Sequence, residues 1–92
     1  MDITELRQEI DRIDAELVQL ICNRLDVAAQ IADYKKKNNL PIYHPGREQE
    51  VLRKVAILAG SEKAGYATDL YSKMFEISKA YQIAQNKNSD TV

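Results

Sequence analysis

Apolar residues recur at alternating steps of three and four over the first third of the chain. This spacing puts them on one face of an α-helix, and no glycine or proline interrupts it before Pro41. The pattern predicts a first helix over about residues 3–37, with Asp2 or Thr4 as its N-cap. The apolar stripe of this helix consists of Ile3, Leu6, Ile10, Ile13, Leu17, Leu20, Val27, Ile31 and Tyr34.

The predicted first helix is long for a small protein. About 35 helical residues would span ~52 Å, whereas a folded chain of this size has a diameter of roughly 30 Å. The overhanging part of the stripe needs apolar cover from another molecule, and a second copy of the chain is the simplest source. We therefore expect a homodimer.

Two further helices are predicted. Pro45 suits the first position of a helix over about residues 45–59, which ends before Gly60. A third helix is predicted over about residues 64–85, where apolar positions again recur at steps of three and four. No alternating strand pattern is present, so we predict an all-α domain of one long, one short and one medium helix. The rows on the third helix are Leu70, Met74, Ile77, Tyr81 and Ala84, and beside them Tyr71, Phe75, Ser78 and Gln82.

Charge and composition exclude several classes of partner. The 92 residues carry a net charge of -1 with 29% charged side chains, whereas nucleic acid and anionic membranes require a clear basic excess. The single cysteine, Cys22, excludes an intrachain disulfide framework and a thiolate zinc site. Neither a secretory signal nor a membrane span is visible in the pattern, so we expect a cytoplasmic protein.

Charged and polar residues interrupt the apolar faces of all three predicted helices. Arg24 stands where the stripe should carry an apolar residue, and a guanidinium stays protonated at any ordinary pH. Burying it unpaired would cost several kcal/mol, so it must meet either a carboxylate of the protein or a bound anion. The other polar groups on or beside these faces are Arg7, Lys35, Arg47, Glu48, Ser78 and Gln82.

Each of these residues also has an ordinary structural explanation. Arg24 could fix the register of a helix seam, and Lys35 suits the C-terminal end of a helix dipole. Arg47 and Glu48 could form a first-turn pair, and Ser78 could fill the core. Together, however, the faces carry four cations against one carboxylate, and an excess of desolvated positive charge predicts a bound anion.

Helix geometry limits which of these groups can share one ligand. Arg24 and Lys35 would lie ~16 Å apart along a straight helix, which leaves room between their side chains for a small organic molecule. Arg7 would lie ~42 Å from Lys35 by the same rise. If Arg7 takes part, it must come from the other subunit, through an antiparallel crossing of two first helices near Val18.

The full set of these residues, at these spacings, resembles the all-helical chorismate mutases, in particular the small intertwined dimers of bacteria. The opening segment LRQEIDRID at residues 6–14 is itself typical of that family, and the likeness covers nearly the whole chain. The resemblance implies an intertwined homodimer without cofactor or metal ion. It also implies the Claisen rearrangement of chorismate to prephenate in phenylalanine and tyrosine biosynthesis. We expect a monofunctional enzyme, since no further domain follows Gln85; a domain excised from a bifunctional enzyme is the alternative.

The resemblance also implies a role for each polar residue. Arg7 of the other subunit would bind one carboxylate of the substrate, and Arg24, helped by Ser78, would bind the other. Arg47 would add positive charge near the carboxylates.

By the same resemblance, Lys35 and Gln82 would hydrogen-bond the ether oxygen of the substrate. Glu48 would accept a hydrogen bond from its ring hydroxyl. His44 stands where the bacterial relatives have an aspartate that acts mainly through its backbone.

Three alternative functions fit the same residues. An isochorismate-pyruvate lyase on this fold would be expected to have an apolar residue in place of Glu48, so Glu48 favours the mutase. A 4-amino-4-deoxychorismate mutase stays open, because an amine could also donate to Glu48. A non-catalytic helical dimerisation module would instead pair Arg24 with Asp14 or Asp11 of the other chain.

Overall fold

The fold consists of three α-helices joined by two short connections. In the computed structural model, which describes residues 1–90 and their side chains to residue 87, the helices are α1 (Ile3–Lys37), α2 (Pro45–Ala59) and α3 (Ala64–Asp90). The described residues contain no strand. The all-α prediction is therefore confirmed, with one long, one short and one medium-length helix.

Local side-chain chemistry sets both ends of α1. The carboxylate of Asp2 accepts a hydrogen bond of 2.8 Å from the backbone N–H of Glu5, so Asp2 rather than Thr4 is the N-cap. At the other end Asn39 has a φ of 57°, a left-handed conformation that asparagine tolerates better than most residues. The backbone N–H of Leu40 then donates to the carbonyl of Lys35 at 2.8 Å, and the helix stops.

The start of α2 is built by a histidine and a proline. Nδ1 of His44 accepts a hydrogen bond of 2.9 Å from the backbone N–H of Arg47, and Pro45 occupies the first turn, where its missing N–H is not needed. The helix ends at Gly60, whose φ of 83° favours a residue without a Cβ atom. The first turn of α2, which carries Arg47 and Glu48, is thus held in place by its own cap.

The third helix runs five residues beyond the predicted end at residue 85, to Asp90. The polar composition of residues 86–92 favours a helix end near residue 85, and that predicted end is wrong because residues 86–90 continue the helix. No glycine or proline breaks the helix there, and Nζ of Lys36 donates to the carbonyl of Asn86 at 3.1 Å. This bond ties the last turns of α3 to the end of α1. Residues 91 and 92 lie outside the described part of the chain.

The central helix of the fold is α3, which packs against both α1 and α2, whereas no Cα atom of α1 lies within 8 Å of a Cα atom of α2. The small side chains of Ala28 and Ala32 let α3 approach α1 closely, and Ala32 is completely buried. The resulting arrangement is thin, with extents of 53 × 30 × 14 Å. A cleft is left between α1 and α2, with α3 as its floor.

One chain alone leaves much of its apolar surface uncovered. Its accessible surface is 7311 Å², compared with about 5,400 Å² for a folded monomer of this mass. Its radius of gyration is 16.4 Å, compared with about 12 Å for a globular chain of this length. Every member of the predicted stripe from Ile3 to Leu20 is exposed. No helix in the described part combines the length and apolar character needed to span a bilayer.

Candidate active site

The cleft between α1 and α2 contains a cavity of about 310 Å³. Its apolar lining includes Val27, Ile31, Val51 and Phe75, so the cavity has room and apolar walls for a small organic molecule. Seven of the eight predicted site residues line this one cavity. They are Arg24, Lys35, His44, Arg47, Glu48, Ser78 and Gln82.

Arg24 lies at the end of the cavity nearest the middle of α1. Its guanidinium carbon is 5.7 Å from the ring centroid of Tyr71 and 6.0 Å from that of Phe75. The two rings contact each other edge to face, with centroids 6.2 Å apart. This pair of α3 rings supports the cation through their faces, so the N–H groups of the guanidinium remain able to bind an anion.

Lys35 lies about three turns further along the same face of α1. Its ammonium donates a hydrogen bond of 2.9 Å to the backbone carbonyl of Ile42, in the connection to α2. That bond holds the side chain over the cavity and uses one of the three N–H donors of the ammonium. The other two donors are available to a ligand.

The α3 wall of the cavity carries two buried polar side chains, Ser78 and Gln82, each only 7% exposed. Nε2 of Gln82 donates a hydrogen bond of 3.0 Å to the carbonyl of Ala28 on α1. An amide nitrogen carries two hydrogens, so this bond orients the side chain and leaves a second N–H. The same bond joins α3 to α1 beside the site.

Glu48 contacts a lysine, Lys79, that was not among the polar residues predicted to form the site. Its Oε2 lies 3.1 Å from Nζ of Lys79, and the two side chains are only 25% and 31% exposed. The ammonium also lies 4.4 Å from the ring centroid of Tyr43. Lys79 lines the cavity as well, so it belongs to the site.

Arg47 lines the cavity but makes its ion pair elsewhere. Its Nη1 lies 3.4 Å from Oε1 of Glu50, and Lys54 lies 3.2 Å from the same oxygen. Lys54, and then Arg47, lower the pKa of the Glu50 carboxyl. All three side chains are well exposed, so this is a solvated surface network of small energetic value.

The charges that line the cavity do not cancel. Lys79 pairs with Glu48, and Arg47 pairs with Glu50. Among the described residues, no carboxylate lies within ion-pair distance of Arg24 or Lys35. The protein thus leaves two positive charges for a ligand. The same part of the chain contains no group of three or more His, Cys, Asp or Glu side chains that could hold a metal ion.

Arg7 is the predicted site residue that the chain does not bring to the cavity. It is exposed near the start of α1, and the rise of a helix separates it from Lys35 by ~42 Å. Within one chain it cannot contact a ligand held by the other seven residues.

The same region of the chain matches a known family. The family model described as chorismate mutase type II matches residues 6–83. The chain belongs to this family. That match covers all the predicted site residues, including Arg7, and it confirms the resemblance drawn from the residue pattern.

Individual relatives carry related names. The chain is 43% identical to the T-protein of Haemophilus influenzae over 68 residues. This match covers 74% of this chain and 18% of that protein. The chain is 46% identical over 54 residues to the bifunctional chorismate mutase/prephenate dehydratase of Aquifex aeolicus, covering 59% of this chain and 15% of that protein. These proteins are several times longer than the matched part. No solved structure matches the chain.

A third relative is of nearly the same length as this chain. The chorismate mutase of Methanocaldococcus jannaschii is 28% identical in an alignment 93 positions long, which covers 94% of this chain and 94% of that protein. The likeness to that protein therefore extends over all three helices.

Lys79 is the charged residue of the cavity that the sequence patterns missed. A signal was present, because position 79 follows Phe75 by four residues and so lies on the same face of α3 as Ser78 and Gln82. Its partner Glu48, however, is on a different helix. A pattern read along one helix cannot reveal that pairing.

Proposed function

We propose that the chain is a chorismate mutase, which rearranges chorismate to prephenate as a homodimer of single three-helix domains. The observation that carries this proposal is the pair of cations in the cavity, Arg24 and Lys35, which have no carboxylate partner in the described residues. Two positive charges without a carboxylate partner favour an anionic ligand. Membership of the family and the relative of equal length named chorismate mutase support it.

The reaction suits a site of this composition. It is an intramolecular rearrangement that needs no nucleophile and no proton transfer. The first requirement is a clamp that holds the dianion in a compact, reactive shape, which lowers the entropic part of the barrier. In our proposal Arg24 and Ser78 bind one carboxylate, and Arg7 of the other subunit binds the second. Arg47 adds positive charge at the open side of the cavity.

The second requirement is positive charge at the ether oxygen, which gains negative charge as its bond to carbon breaks. We assign this task to Lys35 and Gln82. Each is already oriented by one hydrogen bond, to the carbonyls of Ile42 and Ala28 respectively, and each keeps a free N–H. Donors oriented before the reaction need no reorganisation during it, and one such donor contributes ~3 kcal/mol to lowering the barrier.

The remaining polar groups would orient the ring. Glu48 has one carboxylate oxygen against Lys79, and its other oxygen can accept from the ring hydroxyl. The His44 imidazole is used by the backbone of Arg47, so in this proposal His44 positions the first turn of α2 beside the ligand.

A homodimer would supply the missing arginine. The single chain exposes about 1,900 Å² more surface than a monomer of its mass, an excess of the size that one subunit buries in a large obligate interface. The exposed stripe of α1 carries Arg7 beside Leu6, so an antiparallel crossing of two α1 helices would bring each Arg7 to the cavity of the other copy. We expect this dimer to work in a reducing cytoplasm, since its Cys22 is unpaired.

A direct assay with three substrates tests the reaction. Purified protein is incubated with chorismate, isochorismate or 4-amino-4-deoxychorismate, and the products are identified by NMR. Prephenate formed from chorismate, at a rate well above the uncatalysed one, is the expected result. Salicylate and pyruvate from isochorismate would instead indicate the lyase. No turnover of any of the three would contradict the enzyme and favour the dimerisation module.

A further inference from the structure

Lys79 connects three separate parts of the site. Its ammonium lies 3.1 Å from Oε2 of Glu48 at the start of α2 and 4.4 Å from the ring centroid of Tyr43 in the connection before it. The lysine itself is on α3, between Ser78 and Gln82 on the cavity wall.

The neighbouring charges that could compete for Lys79 or Glu48 are engaged by other partners. Glu76, one turn earlier on α3, is engaged by Lys73 at 3.0 Å. Arg47, beside Glu48 in sequence, is engaged by Glu50. Among the described residues, Lys79 is therefore the cation that neutralises Glu48.

We propose that Lys79 determines which substituent the Glu48 end of the cavity accepts, and that it selects a neutral hydroxyl over a protonated amine. This inference rests on the proposed function, because Glu48 must be the group that meets the ring substituent of the substrate. Lys79 is then a specificity-determining residue that acts through Glu48 and through its own charge.

The ammonium of Lys79 changes which ring substituent the Glu48 carboxylate attracts. An unpaired carboxylate attracts a protonated amine more strongly than a hydroxyl, since the amine adds a full charge to the hydrogen bond. With Lys79 in place, the local pair is neutral, and an incoming ammonium would lie within a few ångströms of a like charge. At a site that is about one quarter to one third exposed, such a repulsion is only partly screened. A hydroxyl meets no such penalty and can donate to the second oxygen of Glu48.

Three variants of α3 test this inference. Lys79→Met removes the ammonium and keeps an unbranched side chain, and Lys79→Arg keeps the charge. Lys73→Met is the matched control, because it removes an equal charge from the same helix at an exposed pair with Glu76. The measurement is kcat/KM for chorismate and for 4-amino-4-deoxychorismate, together with the Kd of each compound by calorimetry. Thermal unfolding shows that each variant is folded.

We expect the ratio of kcat/KM for chorismate to kcat/KM for 4-amino-4-deoxychorismate to fall about tenfold in Lys79→Met. The reason is that this variant removes a like charge a few ångströms from the amine. It should be largely restored in Lys79→Arg and unchanged in Lys73→Met. A ratio that stays the same in Lys79→Met, or that falls equally in Lys73→Met, would overturn the inference.

The two measurements separate the failure of this inference from the failure of the proposed function. A wild-type protein that binds both compounds without turnover contradicts the proposed reaction, while the ratio of Kd values in the variants still decides the role of Lys79. A protein that binds neither compound overturns both.

Discussion

The two halves of α1 carry the same exposed apolar stripe, but the second half also packs on α3 through small buried side chains. From Ile3 to about residue 20 the stripe lies in solvent, and Ile13 is 52% exposed. From Arg24 onward the helix packs on α3 through Ala28 and Ala32, which are buried, and its polar residues line the cavity. One continuous helix thus has a first half whose apolar stripe lies in solvent and a second half that forms one wall of the cavity.

This difference indicates how a chain of 92 residues could close its cavity around a ligand. Three helices in a layer only 14 Å deep bury a thin core and cannot enclose a ligand. In the proposed dimer, the exposed half of α1 packs against the second copy. There it covers apolar surface and brings Arg7 to the cavity of that copy.

The largest effect is expected from a charge placed in the exposed half. Ile13→Asp puts a carboxylate into the proposed interface from both subunits, and burying an unpaired charge costs several kcal/mol. We expect loss of the dimer in sedimentation velocity and loss of most activity. Gln8→Asp, which puts the same charge on the polar side of the same half, should leave both unchanged. If the Ile13→Asp protein remains a dimer of normal stability, this face of α1 is not the dimer interface.

In the other half, the largest effect on the rate is expected from Lys35→Ala. Loss of the ammonium should lower kcat by about a hundredfold, or ~3 kcal/mol of barrier. The melting temperature should change little, because Lys35 makes one hydrogen bond to Ile42. Lys37→Ala is the control, since Lys37 pairs with Asp33 on the exposed side of the same turn. Equal rates in wild type and Lys35→Ala would end the catalytic assignment of the cavity.

A change in pH dependence is expected from Gln82→Glu. Wild-type activity should not require acid, because the Gln82 amide is neutral at every working pH. Burial beside the Ala28 carbonyl would raise the pKa of the introduced carboxyl, and only its protonated form can donate to an ether oxygen. At neutral pH we expect activity at least about tenfold below wild type, with recovery as the pH falls. A flat profile in the variant, or a steep one in wild type, would contradict the role of this position.

The smallest effect is expected at the first turn of α1. Asp2→Ala removes the bond to the N–H of Glu5 and should lower the free energy of unfolding by ~1 kcal/mol. Thr4→Ala, at the other candidate cap, should change it much less. Chemical denaturation at fixed protein concentration measures both. If the two variants were equally destabilised, the cap would not be Asp2.

Local patterns predicted much of this molecule. Arg24 broke a regular apolar stripe, and Pro45 and Gly60 marked the ends of a helix, so these features were visible from short-range spacing alone. The resemblance then joined the residues of three helices into one set, and seven of them line one cavity.

What the sequence did not reveal depends on contacts between distant residues. The pairing of Lys79 with Glu48 joins two helices, and the extension of α3 past residue 85 is tied to Lys36 through the carbonyl of Asn86. The exposed ion pair of Arg47 with Glu50 could have been predicted from the sequence, since the two residues lie three positions apart on one helix. It was missed because Arg47 also lies beside Glu48.

In the proposed dimer each cavity is completed by an arginine from the other copy, and dimers that mix two variants test this arrangement. Arg7→Ala and Lys35→Ala proteins, each of low activity alone, are unfolded together and refolded as a mixture. Random pairing makes half of the dimers mixed. If Arg7 acts across the interface, one of the two sites in each mixed dimer is complete, so about a quarter of wild-type activity should return. A mixture no more active than the mean of its two components would show that no site borrows Arg7 from a partner.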